Sequence, residues 1–180
     1  MKFGRAVMAT WLALSVSMAA SAKLEDAGDV DVRFLATGPG GMEIKGEASG
    51  LKASETDGQL KIKVPVKDLQ TGIGLRDSHL KKYLEVEQYP DATLEIDRSK
   101  LTFPENDQSV QSSATGDFTL HGKTKPVKFS YKANRTGSDY HVQALAKIDI
   151  RDFDIEVPCY LKVCVDPIVK LKIKFKLRET

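Results

Sequence analysis

Arg76, Asp77 and His79 place a guanidinium, a carboxylate and an imidazole side by side, the densest set of chemically capable side chains in the chain. Such a trio can grip a polar head group. It can equally be structural: Asp77 stands where a carboxylate caps the first turn of a helix by accepting from unpartnered backbone N–H groups, and Arg76 is within reach of Glu85 or Glu87. A catalytic Asp–His dyad is disfavoured, because positions i and i+2 on a helix do not face each other. No nucleophile sits in a recognisable frame either, so the chain does not read as an enzyme. His121 lies beside Gly122 in a turn and His141 in the outward set of a strand, which leaves no metal-ligand spacing. Cys159 and Cys164 would be roughly 16 Å apart in a continuous strand, whereas a disulfide needs less than about 7 Å between Cα atoms. A bridge therefore requires Pro158 to Val163 to bend into a loop; the other reading is two buried free thiols.

The stretch that must position the trio runs from Thr71 to Pro90, the one place where the sequence switches from strand to helix periodicity. Leu80, Tyr83 and Leu84 fall at i, i+3 and i+4, predicting a short helix near residues 77–85 that Pro90 terminates. Everything around it alternates. Val30 to Leu35 opens with Val30, Val32 and Phe34 on one face, and Gly38-Pro39-Gly40-Gly41 is a turn. Leu60, Ile62, Val64 and Val66 share a face; so do Ala92, Leu94 and Ile96, followed by Leu101 and Phe103 and a polar tip at Pro104 to Ser109. Phe118 and Leu120 lead into a hairpin at His121-Gly122, then Val127, Phe129, Tyr131 and Ala133. Tyr140, Val142, Ala144, Ala146, Ile148 and Ile150 make the longest inward set. Val169, Leu171, Ile173, Phe175 and Leu177 alternate with Lys170, Lys172, Lys174, Lys176 and Arg178. About eight long strands with one-sided alternation predict an all-β fold: a single antiparallel sheet closed into a barrel, with one helical insertion.

Residues 1–22 read as a secretory signal peptide: Lys2 and Arg5, then an apolar run, then the small-x-small site Ala20-Ser21-Ala22. Export to a bacterial periplasm follows as the expectation, with one folded domain over residues 23–180. The chain has 27 Lys and Arg against 25 Asp and Glu; the leader holds two of the bases and no acid, leaving 25 against 25. The apparent basicity is a targeting feature, and no nucleic-acid partner is expected.

Three blocks carry a family resemblance. Thr71-Gly72, Leu75-Arg76-Asp77-Ser78-His79-Leu80 and Tyr83-Leu84-Glu85-Val86-Glu87-Gln88-Tyr89-Pro90 resemble the TG–RDxHL–FFDVExYP signature of YceI-like proteins. Gly116-Asp117-Phe118-Thr119-Leu120-His121-Gly122-Lys123-Thr124-Lys125-Pro126-Val127 is similar to that family's GDLTIHGVTKPV, and Ile148 to Ile155 to its INRSDFGI. Leu84 replaces an aromatic, Asp154 stands where glycine is usual, the first hairpin is abbreviated, and the cysteine pair is not general. The resemblance implies an exported lipocalin-like barrel that holds a polyisoprenoid, an isoprenoid quinone or a fatty-acid derivative in its lumen, with no other cofactor. It also implies a homodimer and a quinone-related role near the inner membrane.

The inward positions expected to touch such a ligand are Val64, Leu94, Ile96, Phe118, Phe129, Tyr131, Val142, Ile148, Ile173 and Phe175, with Arg76 and His79 at the mouth. Medium-sized aliphatics and several alanines lean towards a hollow lumen. The Lys170 to Arg178 comb reads as a solvated face that discourages edge-to-edge pairing, or as a dock for anionic head groups during transient inner-membrane contact. The functional alternative is a redox accessory or enzyme acting on a bound quinone through His79 or the cysteines. A further one is a filled barrel whose surface binds a partner protein.

Overall fold

The computed structural model describes residues 22–160 and 162–180; the leader expected over residues 1–22 lies almost wholly outside them. Twelve strand segments occur in the order β1 (Leu24–Asp26), β2 (Asp31–Thr37), β3 (Glu43–Ala48), β4 (Lys52–Thr56) and β5 (Gln59–Pro65), then helix α1 (Gly74–Tyr83). They continue with β6 (Asp91–Asp97), β7 (Ser109–Leu120), β8 (Lys123–Thr136), β9 (Asp139–Asp149), β10 (Cys159–Tyr160), β11 (Val163–Cys164) and β12 (Ile168–Glu179).

Ten of these segments build one antiparallel sheet, β1-β4-β5-β6-β7-β8-β9-β12-β2-β3, and an additional β1–β12 pairing closes it on itself. The closure has a simple origin. β1 and β2 are two halves of one stave, broken at Ala27 to Val30, and both lie along β12: Leu24 is opposite Glu179 and Phe34 opposite Leu171. The ladder continues across the break through Ala27 N–H to the Lys176 carbonyl (2.9 Å) and Lys176 N–H to the Gly28 carbonyl (3.0 Å). β3 and β4 form the next stave in the same broken way, pairing with β2 and β1 respectively. The result is a closed eight-stave up-and-down barrel with one helix.

Two-residue turns of the type that matches strand twist join the staves where the sequence carries X-Gly pairs. Asp57-Gly58 and His121-Gly122 both have positive φ at each residue, 51° and 76° in the first, 51° and 70° in the second. The apolar half of each alternation points inward, and the buried cluster runs from Leu24 through Ile96, Phe129 and Tyr140 to Leu177.

Three sequence expectations are corrected. The helix begins at Gly74 and ends at Tyr83, earlier than residues 77–85, and Asp77 is not its cap: Ile73 holds that position with no side-chain bond. Asp77 instead lies inside the first turn, where it accepts from the Thr71 amide (2.7 Å) and from the Thr71 hydroxyl. The polar tip expected at Pro104 to Ser109 is narrower, Glu105 to Gln108, because Pro104 is buried and Ser109 already begins β7. Finally, β12 is no edge: it is paired along both sides, so its outward lysines guard no open ladder.

Candidate ligand cavity

The two ends of the barrel differ. At the closed end, Arg98 crosses under the lumen and ties three distant segments together. It donates to Glu55 Oε2 (2.8 Å), to Glu179 Oε1 (3.2 Å) and to the Ala22 carbonyl (2.7 Å). The Glu55 side chain is only 4% exposed, and it also accepts from the Leu24 amide (3.1 Å). Arg135 reaches the other Glu179 oxygen at 2.8 Å, which Tyr140 also approaches. Burial, reinforced by that carboxylate, raises the Tyr140 phenol above its ordinary pKa. Leu101 and Phe103 fold across this end as a plug. Tyr131 staples it there, accepting from the Thr102 amide at 2.7 Å and donating to the Thr102 carbonyl at 3.2 Å.

Above the plug the barrel is hollow. A deep compartment of about 100 Å³ is lined by Leu94, Ile96, Phe129, Tyr131, Val142 and Phe175 among others. A larger one of about 600 Å³ lies beneath the opposite end, with Ile148, Leu80, Tyr83, Leu84, Arg76 and His79 on its wall. Val64, Ala92, Phe118, Leu171 and Ile173 border both, so the two are consecutive chambers of one lumen separated by a waist. All ten inward positions named from the sequence line one chamber or the other, and Arg76 and His79 come together at the wide end. Both tyrosine hydroxyls of the deep chamber are already engaged in the closed-end contacts. What that chamber presents is therefore hydrocarbon, and a polar guest atom there would go unpaired at a cost of a few kcal/mol.

The wide end is built by four connections: the β2–β3 turn, the α1 segment between β5 and β6, the β7–β8 turn, and the β9–β12 connection. The last holds the disulfide between Cys159 and Cys164, which face each other in the small β10–β11 hairpin with Cα atoms 4.0 Å apart. The chain does bend there, as a bridge requires. Cys159, Val163 and Asp166 join the cavity wall, and several wall residues (Pro39, His79, Val163 and Asp166) are exposed, so the lumen reaches solvent at this end.

The trio of the central stretch separates into different tasks. Asp77 fastens the lead-in of α1 to its first turn, and the Thr71 hydroxyl and amide hold its carboxyl below the ordinary 3.8. Arg76 pairs with neither Glu85 nor Glu87, and among the described residues neither it nor His79 has a side-chain partner; both are left as donors at the mouth. Gly46 explains how the lead-in lies so close to the barrel wall. Gln70 bridges to Glu47 directly above it, and a Cβ at Gly46 would meet the Phe34 ring at 2.2 Å and the Gln70 carbonyl at 2.8 Å.

His121 is more than a turn residue. Its Nδ1 lies 3.0 Å from the Phe153 carbonyl, its ring packs edge-on to Tyr89, and its buried Nε2 sits 3.6 Å from Glu85 Oε1. The ring fastens the end of the α1 segment to the β7–β8 turn. Asp154, where the family usually has glycine, adopts a left-handed backbone (φ 55°) and pairs with Lys123 at 2.9 Å.

Sequence reasoning missed Arg33, which borders the wide chamber and pairs with Asp31 at 2.7 Å, as well as Asp166 and the closed-end network. Arg33 sits in the outward set of its strand, where alternation assigns it to solvent, and Asp166 reads as a turn residue. Arg98, Glu55 and Glu179 are separated by too much chain for any local signal to join them. Among the described residues no cluster of His, Cys, Asp and Glu could hold a metal ion, and no helix is long and apolar enough to cross a membrane.

A closed antiparallel barrel with a continuous apolar lumen and two unpaired donors at its open end defines a ligand-binding β-barrel of the lipocalin-like kind. The chain belongs to the YceI-like domain family, whose pattern it matches over residues 26–177. It is similar to UPF0312 proteins of Pseudomonas putida, one of them 28% identical over 124 residues, which is 64% of this chain and 62% of that protein. The matched region thus spans less than two thirds of those relatives. Among solved structures it resembles a polyisoprenoid binding domain from Saccharophagus degradans implicated in plant cell wall breakdown, with TM-score 0.73 and 15% identity, covering 89% of this chain and 100% of that one. It also resembles Burkholderia cenocepacia BcnA (TM-score 0.66, 14% identity, 82% and 95% covered) and a Campylobacter jejuni YCEI protein (0.58, 18%, 76% and 85%).

Proposed function

We propose that this protein is a non-catalytic carrier that shields one long apolar chain from water. The tail lies through the Phe118 waist into the deep chamber, and the head rests beside Arg76 and His79. The observation that carries this reading is the two-chamber lumen, hydrocarbon-lined at depth and supplied with free donors only at the mouth. Each ligand CH₂ moved out of water contributes ~0.8 kcal/mol, so a polyisoprenoid, an isoprenoid quinone or a fatty-acyl chain binds well with few polar contacts. The structural likeness to a polyisoprenoid binding domain is consistent with that class. The leader-like residues 1–22 and the disulfide support a periplasmic setting, where such bridges persist. The redox alternative would act through the cysteines or His79; the cysteines are bonded to each other, and no described side chain orients the His79 ring.

The test is to extract the natively purified protein with organic solvent and weigh the extract by mass spectrometry. Recovery of about one lipid per chain is the expected result. An empty barrel that also fails to take up any long-chain probe refutes the carrier reading.

A further inference from the structure

Six large apolar side chains stand exposed among the described residues: Met42, Ile73, Leu75, Leu145, Val163 and Ile168. Five of them belong to the wide end. Met42 is in the β2–β3 turn, Ile73 and Leu75 begin the α1 segment, Val163 is in the disulfide hairpin, and Ile168 starts β12 beside it. Only Leu145, on β9, lies on the barrel's side. Leu75 is the most exposed, at 70%. It lies with Lys82 on the part of α1 that does not border the cavity, whereas Arg76, His79, Leu80 and Tyr83 line the wide chamber. Apolar side chains gathered on one face and rimmed by charge mark an interaction surface.

The charge around them has a sign. α1 carries Arg76, Lys81 and Lys82 against the single acid Asp77, whose carboxylate is already taken by Thr71. Among the described residues, neither those three cations nor Lys162 of the disulfide hairpin has an ion-pair partner. Of the acids elsewhere at this end, Glu43, Asp149 and Asp154 are paired with Lys45, Arg151 and Lys123, whereas Asp68, Glu87, Asp152 and Glu156 carry no ion pair among the described residues, so the cationic patch is the α1 face and not the whole rim.

We propose that the rim of the barrel mouth docks on an anionic lipid bilayer. Ile73, Leu75, Met42 and Val163 enter the interface while Lys81, Lys82 and Lys162 face the head groups. This inference rests on the carrier reading for its purpose, since an apolar cargo has its source in a lipid phase and the lumen opens on this same face. Apolar anchors beneath a basic face are the chemistry of an interfacial contact. The docking surface is the mouth, and not the β12 lysine comb: beside Lys170 to Arg178 on the barrel's flank the single exposed large apolar side chain among the described residues is Leu145, opposite Lys172, and Lys176 and Arg178 are tied to Asp29 and Asp139.

The experiment is flotation of the disulfide-intact protein with phosphatidylcholine vesicles, with and without phosphatidylglycerol. Wild-type protein should float with the anionic vesicles, and added salt should weaken the association. Leu75→Gln should reduce it about tenfold, the worth of one buried aliphatic side chain, while Leu145→Gln leaves it unchanged. Lys81→Glu with Lys82→Glu should abolish the preference for anionic vesicles. Both leucines are exposed, so thermal unfolding should not move. Equal effects of the two leucine substitutions overturn the proposal, as does failure of the wild type to float. So does sedimentation showing that Leu75 instead holds two copies of the chain together. Loading each variant from detergent with a long-chain probe separates the two readings. Normal loading with no flotation leaves the carrier and removes the docking; position-dependent flotation without loading does the reverse.

Discussion

Ala92 is the position where a single substitution interrogates the lumen most directly. It is the second residue of β6, opposite Val64, and it borders both chambers at the waist. Ala92→Leu adds three carbons, and these should project into open volume. A guest threading the waist then loses about as many methylene contacts, and at ~0.8 kcal/mol each the loss is about 2.4 kcal/mol. That corresponds to roughly 60-fold weaker binding. Stability should move the other way or not at all, because the added group fills space instead of straining a packed interior. The same change at Ala53, a buried β4 position outside the cavity wall, is overpacking and should cost about 1–3 kcal/mol, or roughly 2–12 °C in Tm for a domain of this size. Displacement of cis-parinaric acid measures the first quantity and scanning calorimetry the second. If Ala92→Leu unfolds as early as Ala53→Leu and leaves probe affinity untouched, the side chains meet in the middle and the cavity argument is wrong.

Other consequences can be checked with the same preparations. Glu55→Ala leaves Arg98 without its best-buried partner and should cost about 3 kcal/mol, read as a shifted denaturation midpoint; an unchanged midpoint would show that the closed end is held by the Phe103 plug alone. Reduction of Cys159–Cys164, or its replacement by two serines, should remove about 2 kcal/mol of loop-closure stabilisation, lowering Tm by roughly 4–8 °C. No change in Tm, with faster amide exchange confined to β10 and β11, would mean that the hairpin opens independently of the barrel. The Asp77 carboxyl, held below 3.8 by Thr71, contributes stability that is complete above that value and is lost as pH falls through its lowered pKa. Thr71→Val should bring the Asp77 titration, followed by carbon-13 NMR, back towards 3.8; an unaltered titration would show that Thr71 is not the cause.

What was legible in the sequence was periodicity. Each residue of β12 lies on the face its parity assigns, and the X-Gly turns fall where two-residue hairpins need positive φ. The ten lumen residues follow from the same alternation, because a closed barrel has one inside. Where a competing local signal existed, it misled. Asp77 has the chemistry of a helix cap, but the left-handed Gly72 (φ 78°) turns the chain early enough for the helix to start at Gly74. Contacts between distant segments were silent. β1 is three residues with one apolar side chain, and only its register with β12, at the far end of the chain, makes it the stave that closes the barrel. The Arg98–Glu55–Glu179 tie is invisible for the same reason.

The hydrogen bonds from Lys23 N–H to the Thr180 carbonyl (3.0 Å) and from Thr180 N–H back to Lys23 (2.9 Å) seat the last residue at the pole opposite α1. A tether joined to Thr180 would therefore hold the molecule by its sealed base and present the aperture outward, like a cup fixed by its foot. Immobilised in that orientation on a sensor surface, every copy would offer the same face to whatever flows past.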